Sequence, residues 1–184
     1  DRSRAISLFE NLITGHEVLV TLMTTREFIY WAFYKNFSRL VPYLKKMLDS
    51  ELESTQEQGS QLVCIAAISP AAIESEEAFD TAKQLAEKVI DGKIPWRRGA
   101  ARIFSANLIG GPKDACEDYL IRLLDDTDET VRNHIDDVFH SLKGEHIVTL
   151  RRFVEAYSIK SKRLNHYFSE FLLDHGLIDP GWTL

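Results

Sequence analysis

Histidines and carboxylates are concentrated between residues 134 and 146, and both residue types bind divalent metal ions. Asp136 and His140 are four residues apart, a spacing that places two side chains on one face of a helix. The neighbouring apolar residues, Ile135 and Phe139, indicate which face of that helix is buried. We therefore expect Asp136 and His140 to lie on the solvent side, and we predict no metal site and no other cofactor.

Basic residues occur together in residues 93–113, which carry five Lys or Arg and no acid. Clustered cations are typical of phosphate-binding surfaces, and Arg98 and Arg102 share one helical face. The flanking segments 51–92 and 114–149 each have a net charge of −7, and the whole chain has −6, which opposes nonspecific binding to nucleic acid. Arg98 and Arg102 are candidate partner-binding residues, and we expect the partner not to be DNA or RNA.

The two cysteines, Cys64 and Cys116, are too few for a disulfide framework or a four-thiolate zinc site, and neither has a histidine nearby in sequence to activate it. We predict no catalytic site and a reducing, cytoplasmic setting. No apolar run approaches the roughly 20 residues that span a bilayer, so no membrane segment is expected. Because the chain opens on Asp1 rather than Met, we expect it to be a fragment of a longer protein.

Apolar residues recur three and four positions apart, which is the period of an amphipathic α-helix. The clearest case is residues 119–143, where two such stripes flank the acidic turn DDTDE. The stripes are Leu120, Leu123 and Leu124, followed by Val131, Ile135, Phe139 and Leu142. Neither helix can bury its stripe alone, so the segment predicts a helical hairpin. No segment shows the two-residue alternation of a strand, and the predicted class is all-α, with residues 1–184 forming a single domain.

Local signals refine the predicted helices. Pro42 removes a backbone donor and is expected to bend or restart the helix in residues 36–49. The polar residues 50–60 predict a turn and a first helical turn ahead of an apolar helix at 61–68. Ser75, followed by two glutamates, has the pattern of an N-cap.

The most aromatic segment, residues 16–35, is apolar on every helical face. Such a helix is expected to be buried on more than one side. The alternative is an aromatic surface that binds a partner, for which Trp31 and Tyr34 are the candidates.

The chain contains an internal repeat. Predicted helix ends align on Asp49, Asp91 and Asp126, at intervals of 42 and 35 residues, and such periods are typical of stacked helical hairpins. After the last two anchors the matched pairs are Trp96 with Val131, Arg97 with Arg132, Ala100 with Ile135, and Phe104 with Phe139. We expect these positions to form consecutive layers of one core.

The repeat resembles the HEAT family and its armadillo-like relatives, whose repeats carry an Asp in the turn and an Arg about six residues later. The resemblance is strongest over residues 85–143. It implies an α-solenoid of HEAT-like hairpins and a structural ladder, formed by Asp91, Arg97, Asp126 and Arg132, of ion pairs and carbonyl contacts between successive turns. Thr55 stands six residues after Asp49, so the ladder is expected to be broken in the first of these repeats.

Residues 96–111 and 119–133 are also similar to the helical-repeat tails of large bacterial signal-transducing NTPases that serve in anti-phage defence. This similarity implies a non-catalytic scaffold or sensor segment that binds a protein partner or neighbouring domains of the same chain. The chain has no phosphate-binding loop of its own, since GGPKD at 110–114 is a helix stop followed by a helix start. The alternative implied by the HEAT resemblance is a nucleic-acid-binding protein or DNA glycosylase that uses the basic residues 93–113.

Overall fold

The computed structural model describes residues 36–108 and 113–141, together with positions 166, 169, 170 and 173. It describes the backbone alone for 113–115 and 138–141. Every regular element in these residues is a helix and none is a strand, which confirms the all-α class. The predictions for Trp31, Tyr34 and the aromatic helix at 16–35 lie outside the described residues.

Six α-helices and one short 3₁₀ helix make up the described part of the chain. They are α1 (Phe37–Leu48), α2 (Glu53–Ala67), the 3₁₀ helix (Pro70–Ala72), α3 (Glu76–Ile90), α4 (Ile94–Asn107), α5 (Lys113–Leu123) and α6 (Glu129–Ser141). Contacts between Cα atoms divide the chain into two compact units, Asp1–Ala100 and Ala101–Leu184, so the division falls inside α4.

In the first unit, α2 packs against both α1 and α3. Close approach is possible because α2 carries small residues where its neighbours contact it. A methyl group at Gly59 would lie 2.8 Å from Met47 Cβ on α1, and one at Gly99 on α4 would overlap Ser60 Oγ and the Glu57 carbonyl oxygen. Glycine is thus needed at position 99 for space, since any side chain there would push α4 away from α2.

In the second unit, Phe104 is fully buried and its ring stacks on Tyr119, with centroids 4.5 Å apart. Both predicted apolar stripes of the α5–α6 hairpin are buried where the side chains are described. The buried positions are Leu120, Leu123, Leu124, Val131 and Ile135. The side chains of Phe139 and Leu142, which complete the second stripe, lie outside the described residues.

The local predictions have different outcomes. α1 continues through Pro42 and does not restart there, since the proline ring is exposed while Leu40 and Leu44 anchor the opposite face in the core. α2 begins at Glu53, eight residues before the apolar run, since its first turns bury polar and small residues and therefore show no apolar stripe. Ser75 does cap α3, and its hydroxyl accepts a hydrogen bond of 3.2 Å from the Ala78 amide.

The N-terminus of α1 is capped from a distant part of the chain. Asn36, at the N-cap position, makes no side-chain capping bond. Instead, the Glu74 carboxylate, in the connection between α2 and α3, accepts hydrogen bonds from the amides of Phe37 (2.9 Å) and Ser38 (2.7 Å). A carboxylate is well suited to this position because the first amides of a helix are unpaired and carry partial positive charge.

Candidate functional site

The turn between α3 and α4 contains the first of the two Asp–Arg pairs. Asp91 is the C-cap of α3, and its amide donates to the Glu87 carbonyl at 3.1 Å. Arg97, in the first turn of α4, donates from Nη1 to the Gly92 carbonyl at 2.6 Å. A charged donor thereby satisfies a carbonyl that the helix end leaves unpaired.

In the turn between α5 and α6, an arginine again binds a turn carbonyl, here that of the aspartate itself. Arg132 donates from Nη1 to the Asp126 carbonyl at 2.6 Å. The Asp126 carboxylate accepts the Asp128 amide at 2.8 Å, and the Asp128 carboxylate accepts the Val131 amide at 3.1 Å, which caps the start of α6. Each arginine therefore contacts a carbonyl in the turn that directly precedes its own helix.

The turn between α1 and α2 achieves the same contact with a different residue. Asp49 is the C-cap of α1, with φ −88° and ψ 1°, close to the −89° and 2° of Asp91. Gln56 then donates from Nε2 to the Ser50 carbonyl. One residue is inserted in this turn, so the equivalent of Arg97 is Gln56 rather than Thr55. The sequence comparison missed Gln56 because it is neutral and displaced by one position.

Trp96 links two successive turns of the first unit. Its indole Nε1 donates to the Leu48 carbonyl, at the end of α1, over 3.0 Å. The predicted layers required Trp96 to be a fully buried core residue, but its ring is only half-buried. Lys93 Nζ lies 5.3 Å from the centroid of the ring. Gly92 lies against the ring, where a methyl group would overlap the indole. The Trp96 indole therefore makes a contact between the turn after α3 and the end of α1.

Three basic residues of the segment 93–113 have partners within the first unit. Arg98 Nη1 lies 3.4 Å from Glu53 Oε2, which ties the start of α4 to the start of α2. Arg97 is bonded to a carbonyl, and Lys93 lies over an aromatic ring. Arg102, in the second unit, is exposed. The side chain of Lys113 lies outside the described residues.

The described residues contain no group of three or more His, Cys, Asp or Glu side chains arranged to hold a metal ion. Asp136 is half-buried on α6, and the His140 side chain lies outside the description. Both cysteines are buried. Burial, with the negative charge of Glu117, raises the pKa of Cys116 to about 12, so its thiol is protonated and a poor nucleophile at neutral pH.

Among the described helices, none is long and apolar enough to cross a bilayer. No protein-family model, curated protein or solved structure matches the chain.

Proposed function

We propose that this chain is a non-catalytic scaffold or sensor segment of a larger protein, built as an α-solenoid of HEAT-like hairpins. It binds a protein partner or neighbouring domains of its own polypeptide. The observation that carries the proposal is the recurrence of one kind of contact. In the turns that follow α1, α3 and α5, a side chain from the first turns of the next helix binds a turn carbonyl, through Gln56, Arg97 and Arg132.

Recurrent turns favour a solenoid because each repeat of such a fold is one helical hairpin with the same local contacts. α2 contacts both α1 and α3, as expected of a helix with a neighbour on each side. Solenoids present extended surfaces without a deep catalytic cleft, and their usual role is to bind other macromolecules.

A protein partner is favoured over nucleic acid because basic residues of the segment 93–113 are bonded within the protein. Phosphate binding depends on several unpaired cations that release counterions together. Arg97 and Arg98 are already bonded within the first unit, and residues 51–92 beside them carry net charge −7. The partner surface is therefore expected to be recognised through shape and apolar contact, with basic or mixed charge facing the acidic segments.

The proposal is tested by site-specific photocrosslinking in the full-length protein, in the cells that produce it. A photoreactive amino acid is placed at one exposed position on each of four helices: Arg39 on α1, Ser54 on α2, Gln84 on α3 and Ala106 on α4. Buried Ala82 is the control position, where no intermolecular product is expected. We expect products with a protein, or with another region of the same polypeptide, from only some positions. Products with nucleic acid, or none at any position, would contradict it.

A further inference from the structure

The turn between α3 and α4 contains the dipeptide Asp91–Gly92, and the sequence has no other Asp–Gly pair and no Asn–Gly pair. An aspartate side chain can react with the amide nitrogen of the next residue. Glycine leaves that nitrogen least hindered, because it has no side chain. Asp91 is exposed, so water reaches the site. This turn therefore holds the pair of residues in the chain that is most prone to the reaction.

The reaction is an isomerisation of the backbone. The Gly92 nitrogen attacks the carboxyl carbon, Cγ, of Asp91, so that a Cγ–N bond forms and the Cγ–OH bond breaks. The hydroxyl leaves as water with the proton of the amide nitrogen, which gives a cyclic succinimide. Water then adds to a ring carbonyl carbon, and the bond from that carbon to nitrogen breaks. Addition at Cγ restores aspartate, whereas addition at the main-chain carbonyl gives isoaspartate, whose backbone is longer by the Cβ methylene.

The folded turn keeps the reacting atoms apart. The ψ angle of Asp91 is 2°, which places the nitrogen of Asp91, rather than its Cβ, in the plane of the peptide that joins it to Gly92. Ring closure requires Cβ in that plane, so the Cα–C bond has to rotate. The rotation breaks the hydrogen bond of 3.2 Å from the Gly92 amide to the Val89 carbonyl.

Two side chains of α4 also hold Gly92 in place. Arg97 donates to its carbonyl at 2.6 Å, and the Trp96 ring lies so close that a methyl group at Gly92 would overlap it. Trp96 is in turn bonded to the Leu48 carbonyl at the end of α1. Rotation at Asp91 therefore requires a local opening of tertiary contacts, and not only of the turn's own backbone bonds.

We propose that Asp91–Gly92 is a covalent modification site, which converts to isoaspartate only when the turn between α3 and α4 opens. The longer backbone then prevents the turn from restoring its contacts with Arg97 and Trp96. The conversion is slow and persists, so the isoaspartate content records how often the turn has opened. The inference does not depend on the proposed function.

The chain supplies its own matched control in the turn after α1. Asp49 is exposed, and its φ of −88° and ψ of 1° are close to the −89° and 2° of Asp91. The Ser50 amide donates to the Met47 carbonyl at 3.2 Å, as the Gly92 amide does to its own partner. The difference lies in the residue that carries the attacking nitrogen, which is serine rather than glycine. We expect Asp49 to isomerise much more slowly.

Peptide mapping by mass spectrometry measures the conversion in the full chain, incubated near neutral pH in buffer and in guanidinium chloride. An isoaspartyl peptide has the mass of the aspartyl peptide, but it elutes separately and resists the endoprotease that cleaves before aspartate. Isoaspartate at position 91 should form about tenfold or more faster in denaturant, because the closed turn excludes the reactive conformation. Equal rates in buffer and in denaturant, or as much isoaspartate at position 49 as at position 91, overturn the proposal.

A pair of variants distinguishes opening of this turn from unfolding of the whole protein. Arg97→Ala should speed the conversion in buffer by about threefold or more, because the bond to the Gly92 carbonyl is lost. Gln56→Ala removes the corresponding bond in the turn after α1 and should leave the rate at position 91 nearly unchanged. Equal acceleration by both variants would show that global unfolding controls the reaction, and it overturns the role of the turn.

Unfolding of the aged chain tests the consequence for the turn. A chain incubated in denaturant and refolded by dilution should contain a less stable population in urea unfolding, in a fraction equal to its isoaspartate content at position 91. The control is Asp91→Glu, aged in the same way, because the longer side chain does not form the succinimide. A single transition like that of the fresh chain, or the same less stable population in aged Asp91→Glu, overturns the proposed effect.

Discussion

Arg97 and Arg98 are adjacent and identical in type, yet their surroundings differ. Arg97 makes a short bond of 2.6 Å to the Gly92 carbonyl, and the Arg98 guanidinium lies 3.4 Å from the exposed Glu53 carboxylate. A part-buried carbonyl that loses its donor keeps the cost of desolvation, whereas an exposed ion pair is replaced by water. The contribution of each arginine to the free energy of unfolding therefore depends on its position relative to the turn and not on its charge.

Arg97→Ala is expected to lower the free energy of unfolding by about 1–3 kcal/mol, and Arg98→Ala by less than about 1 kcal/mol. Urea unfolding of both variants measures the contrast, and Arg98→Ala is the matched control because it removes the same charge. Equal losses would mean that the Arg97 bond contributes nothing beyond a surface charge. Gln56→Ala should resemble Arg97→Ala, since it removes the corresponding bond in the preceding turn.

Gly99 is the second residue whose role is set by a neighbour. Gly99→Ala should destabilise the protein by roughly 1–3 kcal/mol in denaturant unfolding, even though alanine favours helices, because its methyl overlaps Ser60 Oγ and the Glu57 carbonyl. Ser54→Ala, at an exposed position of α2, should change the stability by less than about 0.5 kcal/mol.

Ser60→Ala combined with Gly99→Ala should recover part of the loss, because one of the two overlapping atoms is gone. A stabilising effect of Gly99→Ala alone would show that α4 and α2 are farther apart than the structure has them.

At the level of elements, the ends of α1 are controlled from other parts of the chain. Its first amides are capped by Glu74, and its last carbonyl, that of Leu48, is bonded to Trp96. Both bonds tie α1 to segments that follow it by more than 35 residues. Helix α1 thus depends on tertiary contacts for its boundaries, which suits a helix with Pro42 in its interior.

The contribution of the Glu74 cap to the free energy of unfolding should depend on pH, and Glu74→Gln should remove that dependence. Burial by itself raises the pKa of Glu74, but hydrogen bonds from Ser38, Phe37 and its own amide outweigh that effect and hold the pKa below the ordinary 4.5. The ionised form is therefore the stabilising one. Its contribution is complete above about pH 4.5 and is lost as the pH falls through the lowered pKa.

We expect Glu74→Gln to cost about 0.5–2 kcal/mol near pH 7, and the difference from the wild type to be smaller at pH 3, because the carboxylate becomes protonated as the pH falls through its lowered pKa. Urea unfolding at both pH values measures it. Asp118→Asn, which removes an exposed carboxylate from α5, controls for the loss of one charge and should show a smaller difference at pH 7. A difference between the wild type and Glu74→Gln that is the same at both pH values would rule out the carboxylate as the cap.

At the level of the whole molecule, the charge distribution bears on the choice of partner. The chain has 28 acidic and 22 basic residues, and the basic segment 93–113 lies between two segments of net charge −7. Part of that basic segment is bonded internally, through Arg97 and Arg98. Few cations of this segment then remain to neutralise a phosphate backbone.

We predict no complex with duplex or single-stranded oligonucleotides tighter than roughly 10⁻⁵ M near 150 mM salt, as measured by fluorescence anisotropy. Binding at sub-micromolar concentration that weakens with added salt would favour the nucleic-acid alternative. In that case Arg98→Glu with Arg102→Glu should abolish binding while the helices stay intact by circular dichroism. Lys45→Glu with Lys46→Glu, which reverses two exposed charges on α1, should have less effect.

The sequence alone determined the features that depend on neighbours within one or two helical turns. The three-and-four spacing of Leu120, Leu123 and Leu124 predicted a buried stripe, and Ser75 predicted a cap, because both arise from the local geometry of a helix. Only the tertiary structure decided which distant groups meet. Glu74 reaches α1 across 37 residues, and Trp96 reaches Leu48 across 48. The early start of α2 belongs with them, since its polar first turns are stabilised by contact with α1 and α4 rather than by an apolar pattern of their own. Periodicity specifies which face of a helix is buried, but the packing of whole helices selects what lies against that face.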